Sequence, residues 1–98
     1  MTTKESILKA LRSRKNEFSK LGIKNVGLFG SYTRNEQVAN SDIDVLIDFN
    51  PEAENFDNFM AVYDVIQQLF KDKKIEVVTV NGLSPYIGPS ILKEVQYV

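Results

Sequence analysis

Asp42 to Phe49 reads D-I-D-V-L-I-D-F, a run that alternates in character for most of its length. Side chains of a β-strand point to opposite faces in turn, so Ile43, Val45, Ile47 and Phe49 share one face. Asp42, Asp44, Leu46 and Asp48 share the other. The stretch predicts a β-strand, and its load of Val, Leu, Ile and Phe predicts a central one. Acids gathered at the start of such a strand need a reason. Carboxylates two residues apart on a strand point the same way, with Cα atoms ~7 Å apart. Both can reach one metal ion, or bridge a pair of ions ~3.5–4 Å apart. Without a cation they repel one another in a low dielectric. A bare D-x-D is just as readily a solvated surface pair, so its meaning depends on what surrounds it.

Upstream, Asn25 to Phe29 (N-V-G-L-F) is short, apolar and bounded by glycines, which predicts a buried strand. Gly30-Ser31 ends it, and Tyr32 to Gln37 reads as one or two helical turns. Further upstream, Thr2 and Glu5 match the S/T-x-x-E capping box, and Ile7, Leu8, Leu11, Phe18 and Leu21 recur at helical spacing. They predict one helix, stopped by Gly22. Downstream, Asn50-Pro51 breaks the strand, and Phe56, Phe59, Met60, Tyr63, Ile66, Leu69 and Phe70 form a helical stripe. Lys71 to Lys74 is a turn, and Ile75 to Val80 (I-E-V-V-T-V) is β-branched and reads as a strand. Ser84-Pro85 looks like a cap followed by proline at the first helical position. Gly88-Pro89 interrupts that helix or restarts it, and Ile91, Leu92 and Val95 supply its apolar face. The order α-β-α-β-α-β-α predicts an α/β (α+β) fold, a small sheet covered by helices. No linker or repeat divides the chain, so residues 1–98 are expected to form a single domain.

Composition narrows the chemistry. The 98 residues carry a formal net charge of −1, with no cysteine and no histidine. Disulfides, thiolate sites and thiol catalysis are excluded, as is the commonest general base. Any metal must be held by oxygen ligands, which points to Mg²⁺, Mn²⁺ or Ca²⁺. The near-neutral charge argues against a protein that lives on a nucleic-acid backbone. No signal-peptide core and no apolar run of ~20 residues is present, so a cytoplasmic protein away from the membrane is expected.

Three elements can carry chemistry. Gly30-Ser31 follows a strand and opens the next predicted helix, where N-terminal backbone N–H groups and a hydroxyl suit phosphate oxygens and glycine permits close approach. Asp42 and Asp44 are the second. Glu76, the one charged residue between Ile75 and Val80, is the third, provided its strand lies beside Asp42–Phe49. Arg34, within a turn of Ser31, can pair with a phosphate. Asp48 lies further along the acid face and reads as structural.

Together these elements resemble the signature of the DNA polymerase β-like nucleotidyltransferase superfamily, most closely its minimal nucleotidyltransferase branch. The likeness spans nearly the whole chain: L-F-G-S-Y-T-R (Leu28 to Arg34), S-D-I-D-V-L-I-D-F (Ser41 to Phe49), K-I-E-V-V-T-V (Lys74 to Val80), and L-S-P-Y-I through I-L-K-E-V. Asn35 stands where the family usually has glycine, and Glu76 where it usually has aspartate. The resemblance implies a mixed sheet like the polymerase β palm, with Asp42, Asp44 and Glu76 as catalytic metal ligands. It implies Mg²⁺ or Mn²⁺ as cofactor, ATP or another NTP as substrate, and Gly30, Ser31 and Arg34 as its phosphate site. A lone catalytic core further resembles the antitoxins encoded beside HEPN toxins, which AMPylate the toxin on tyrosine; a HEPN protein is then the implied partner. Two other readings stay open at this point. One is a non-catalytic module that neutralises a partner by contact, and the other is an enzyme acting on a small molecule or RNA.

Overall fold

The computed structural model describes residues 2–98. Its centre is the acid-bearing strand β2 (Ile43–Phe49), hydrogen-bonded on both sides. Strand β1 (Ile23–Phe29) runs antiparallel to it, with Leu28 opposite Val45 and Phe29 opposite Asp44. Strand β3 (Ile75–Thr79) runs parallel, with Asp44 opposite Glu76 and Leu46 opposite Val78. A two-residue strand β4 (Gln96–Tyr97) lines the far side of β1, giving the order β3-β2-β1-β4. The parallel pair needs a crossover, and helix α3 (Phe56–Leu69) supplies it, capped by the Asn55 side chain on the Asn58 amide.

The alternation in β2 has the predicted result. Ile43, Val45, Ile47 and Phe49 are buried in one cluster with Ile7, Leu11, Phe18, Val62 and Ile66, which come from the helices. Each such side chain contributes about 1.5–3 kcal/mol by leaving water. Leu46 is fully buried on the opposite face. A mixed sheet with helices packed on it is therefore the fold expected from the sequence.

Several elements differ from expectation. The first helix is two: α1 (Lys4–Ser13) and α2 (Lys15–Lys20), broken at Arg14. A continuous helix would carry Arg14 and Lys15 on the same side as Leu11 and Phe18, and the break releases them to the surface. The capping box lies one residue later than predicted, with Thr3 and Ser6 exchanging side-chain bonds to each other's amides. Gly22 ends this segment in the left-handed region, φ +82°, as a helix stop should. Residues 32–37 form turns, not a helix. There the Thr33 hydroxyl donates to the Gly30 carbonyl at 2.6 Å, and Asn35 adopts φ +56°, which ends helical propagation. Ser84 holds a turn, bonding the Tyr86 amide, and helix α4 begins only at Gly88 (Gly88–Glu94). Pro89 sits in its first turn, where no amide donor is needed. The chain then extends through Val95 into β4, which periodicity could not reveal in so few residues. The observed order is α-α-β-β-α-β-α-β.

The helical stripes also divide into core and surface. Val62 and Ile66 of α3 are buried, whereas Phe56 and Met60 are exposed, as is Leu92 on α4. No described helix is long and apolar enough to cross a membrane.

Candidate active site

The first acid of the site is placed by the sheet. Asp44 sits between Phe29 on β1 and Glu76 on β3, and cross-strand partners project to the same face. Residue 30 follows Phe29 directly, so the end of β1 delivers Gly30-Ser31 to the same corner. Gly30 has φ +83°, and a Cβ built on it would collide with the Asp44 carboxylate. Glycine is required there twice over, for its backbone angle and for the closeness of the acid. The aspartate strand thus meets the glycine-serine bend in contact at Asp44.

The electrostatics follow from the crowding. Burial pushes the Asp44 carboxyl up to about 6, and the negative charges of Glu76 and Asp42 push in the same direction. Arg34 is the one group that opposes them. Glu76 is exposed on β3, and Asp42 lies just before β2, half-buried. Among the described residues no three acid side chains close on one point as a ready-made cation cage. Asp44 and Glu76 are brought together by register, and Asp42 adds its charge from the strand's entrance. An all-oxygen set with unbalanced negative charge is the chemistry that hard divalent cations complement, so these residues fit such an ion.

The glycine-serine bend is more connected than the sequence suggested. The Gly30 amide donates to Glu94 Oε2 at 2.6 Å. Arg34 Nη1 donates to Glu94 Oε1 at 2.8 Å, and Arg34 Nε to Glu36 Oε1 at 2.8 Å. These pairs raise the guanidinium pKa, with Glu36 the larger cause. The Ser31 carbonyl accepts from the amides of Arg34 and Glu36, which fixes the bend. Neither the amide nor the hydroxyl of Ser31 has a partner among the described residues, so both remain available to a ligand. Asn35 occupies its left-handed position without breaking the turn, as its tolerance of positive φ predicted.

Asp48 stands apart from this corner. It faces Asn25 across the ladder and has Lys24 Nζ 3.9 Å away. Sequence reasoning missed Glu94 and Glu36. Glu36 is local to Arg34, but Glu94 lies sixty-four residues from Gly30, and only the return of the chain through β4 brings it back.

A family model described as a nucleotidyltransferase domain matches residues 5–98. The chain belongs to the nucleotidyltransferase domain family. The protein adenylyltransferase MntA of Thermococcus cleftensis is similar to this nucleotidyltransferase at 32% identity, over the whole chain and 98% of the relative. A relative from Methanocaldococcus jannaschii is 34% identical over the full length of both chains. Among solved structures, one assigned as a minimal nucleotidyltransferase superposes with a TM-score of 0.71 at 26% identity, covering 91% of this chain and 93% of that one. A toxin–antitoxin structure with AMP-PNP gives 0.64 at 24% identity, over 98% of this nucleotidyltransferase and 72% of that chain. The last likeness is one of fold.

Proposed function

We propose that this nucleotidyltransferase moves AMP from ATP onto a hydroxyl of a partner protein, a tyrosine of a HEPN toxin, and so acts as an antitoxin. The observation that supports the reading is the contact of Asp44 with Gly30: an acid that would bind metal lies against a bend that would bind phosphate. The Thermococcus relative named as a protein adenylyltransferase, and the toxin–antitoxin structure with AMP-PNP, support a protein acceptor and a toxin as the kind of partner.

Asp42, Asp44 and Glu76 would hold Mg²⁺ or Mn²⁺. When bound, such an ion lowers the pKa of an attacking hydroxyl and stabilises charge on phosphoryl oxygens. The chain's own groups do the rest. The free amide and hydroxyl of Ser31 take phosphate oxygens, and Arg34 adds a charged donor on the same side. Asp44, beside Gly30, lies where the α-phosphate and acceptor meet. The acceptor hydroxyl gives up its proton to water, its oxygen bonds to the α-phosphorus as the bond to the bridging oxygen breaks, and pyrophosphate leaves. Positioning and charge do the work, which suits a chain with no histidine.

The test is incubation of the protein with α-³²P-ATP, Mg²⁺ and a co-expressed HEPN partner. Label should pass to the partner, and mass spectrometry should find added AMP on tyrosine. Asp42→Ala and Asp44→Ala should abolish transfer. Transfer that survives in both variants rejects the site, and a neutralised but unmodified partner rejects the chemistry.

A further inference from the structure

We propose that Glu94 is a positioning residue for the nucleotide: it ties Arg34 to the Gly30 turn and so holds the arginine in its phosphate-binding place. The inference rests on the nucleotide reading above and assigns a role to a residue that reading does not use.

One carboxylate bridges two groups from the same bend. Its Oε2 takes the Gly30 amide at 2.6 Å, and its Oε1 takes Arg34 Nη1 at 2.8 Å. Glu36 takes Arg34 Nε from the other side. A guanidinium has five N–H donors in a rigid plane. Two are engaged by these acids, and the others remain for a ligand. An arginine as exposed as Arg34 would otherwise sample many rotamers, and a phosphate would have to order it on binding. Two carboxylates at 2.8 Å order it in advance.

Glu94 is itself a firm anchor. It is the last residue of α4, and the next residue, Val95, packs on Gly27, where a Cβ would meet Val95 Cγ2 at 2.7 Å. Gln96 and Tyr97 then pair with β1, and the Val98 amide donates to the Val26 carbonyl at 2.9 Å. The carboxylate therefore projects from a segment strapped to the strand that carries Gly30. It is also mostly shielded, with 24% of its side chain exposed against 47% for Arg34. The Gly30 amide then serves the scaffold, and phosphate is left to Ser31 and Arg34.

The experiment is a double-mutant cycle with two readouts, KM for Mg·ATP in transfer and Kd for Mg·AMP-PNP by calorimetry. Glu94→Ala should raise both roughly tenfold, the scale of one charge-assisted contact, with kcat within about twofold. Glu94→Gln, which still accepts from Gly30 but loses the ion pair, should fall between. In an Arg34→Ala background, Glu94→Ala should change Kd by less than about twofold, because its effect passes through the arginine. Glu17→Gln, which breaks an unrelated surface pair with Arg14, should leave both readouts unchanged. Glu94 variants with unaltered Kd but a lower melting temperature would reduce Glu94 to a structural residue. A Kd that falls would make it a competitor of phosphate. Either result overturns the proposal. If the unmutated protein binds AMP-PNP but transfers no label, the transferase reading fails, while the Kd cycle still decides the role of Glu94.

Discussion

Asp44 and Asp48 occupy the same face of the same strand, one helical-free stretch of four residues apart, yet their surroundings are opposite. Asp48 has Lys24 within 3.9 Å and a polar neighbour, Asn25, across the ladder. Asp44 has a second acid across the ladder, an aspartate behind it, a buried phenylalanine on its other side and a glycine pressed against it. The first arrangement satisfies a charge with groups the chain already owns. The second leaves a charge unsatisfied and clears space next to it. What sets Asp44 apart from Asp48 is not residue type or strand position: among the described residues no lysine or arginine pairs directly with its carboxylate, and Arg34, which opposes the acids around it, forms its ion pairs with Glu36 and Glu94.

The contrast predicts its largest effect in catalysis. On the proposed chemistry, Asp44→Asn should reduce transfer at least about a thousandfold, because the metal would lose its central ligand, whereas Asp48→Asn should keep activity within about twofold. Label transfer from α-³²P-ATP measures both. Gly30→Ala should come next. It places a side chain at φ +83° and drives it into the Asp44 carboxylate, so urea denaturation should show a loss of about 1–3 kcal/mol together with lost transfer.

How much of this contrast the sequence carried depended on the range of each interaction. The strand and its faces were legible because alternation decides them, whereas the pairing of D-x-D with Gly-Ser came from the resemblance to the nucleotidyltransferase signature. Glu76 could be suspected but not placed, since reaching Asp44 requires the parallel register of β3 on β2. The break at Arg14 was written in the gap between Leu11 and Phe18, yet a stripe read by its apolar residues alone runs straight through it. The turns after Ser31 escaped because Thr33 and Asn35 divert the backbone through bonds and angles that a periodicity does not register. Glu94 was beyond reach for a different reason: its partners are set by how the end of the chain folds back.

A smaller effect concerns pH. Without metal, the folded chain keeps a proton on Asp44 between pH ~4 and about 6 that the unfolded chain has released. The stability of the metal-free protein should therefore fall as pH rises through that window. The loss should be about 1–2 kcal/mol once solvent screening is allowed for. Melting temperatures at pH 4.5 and 7 would check it, and Asp44→Asn should flatten the difference. Mg²⁺ should restore more stability at pH 7 than at pH 5, because only the ionised carboxylate binds it. The smallest effect is expected at the other aspartate. Lys24→Ala removes a solvent-exposed partner at 3.9 Å and should cost less than about 0.5 kcal/mol, with no change in transfer.

The place of β3 at the outer margin of the sheet has one more consequence. Among the described residues no further strand screens Glu76, whose side chain is open to solvent. A reacting group therefore need not thread a tunnel to meet Asp44: it can arrive sideways while still attached to something far larger than a metabolite. An architecture that ends where its chemistry begins suits an acceptor presented on the surface of another folded macromolecule.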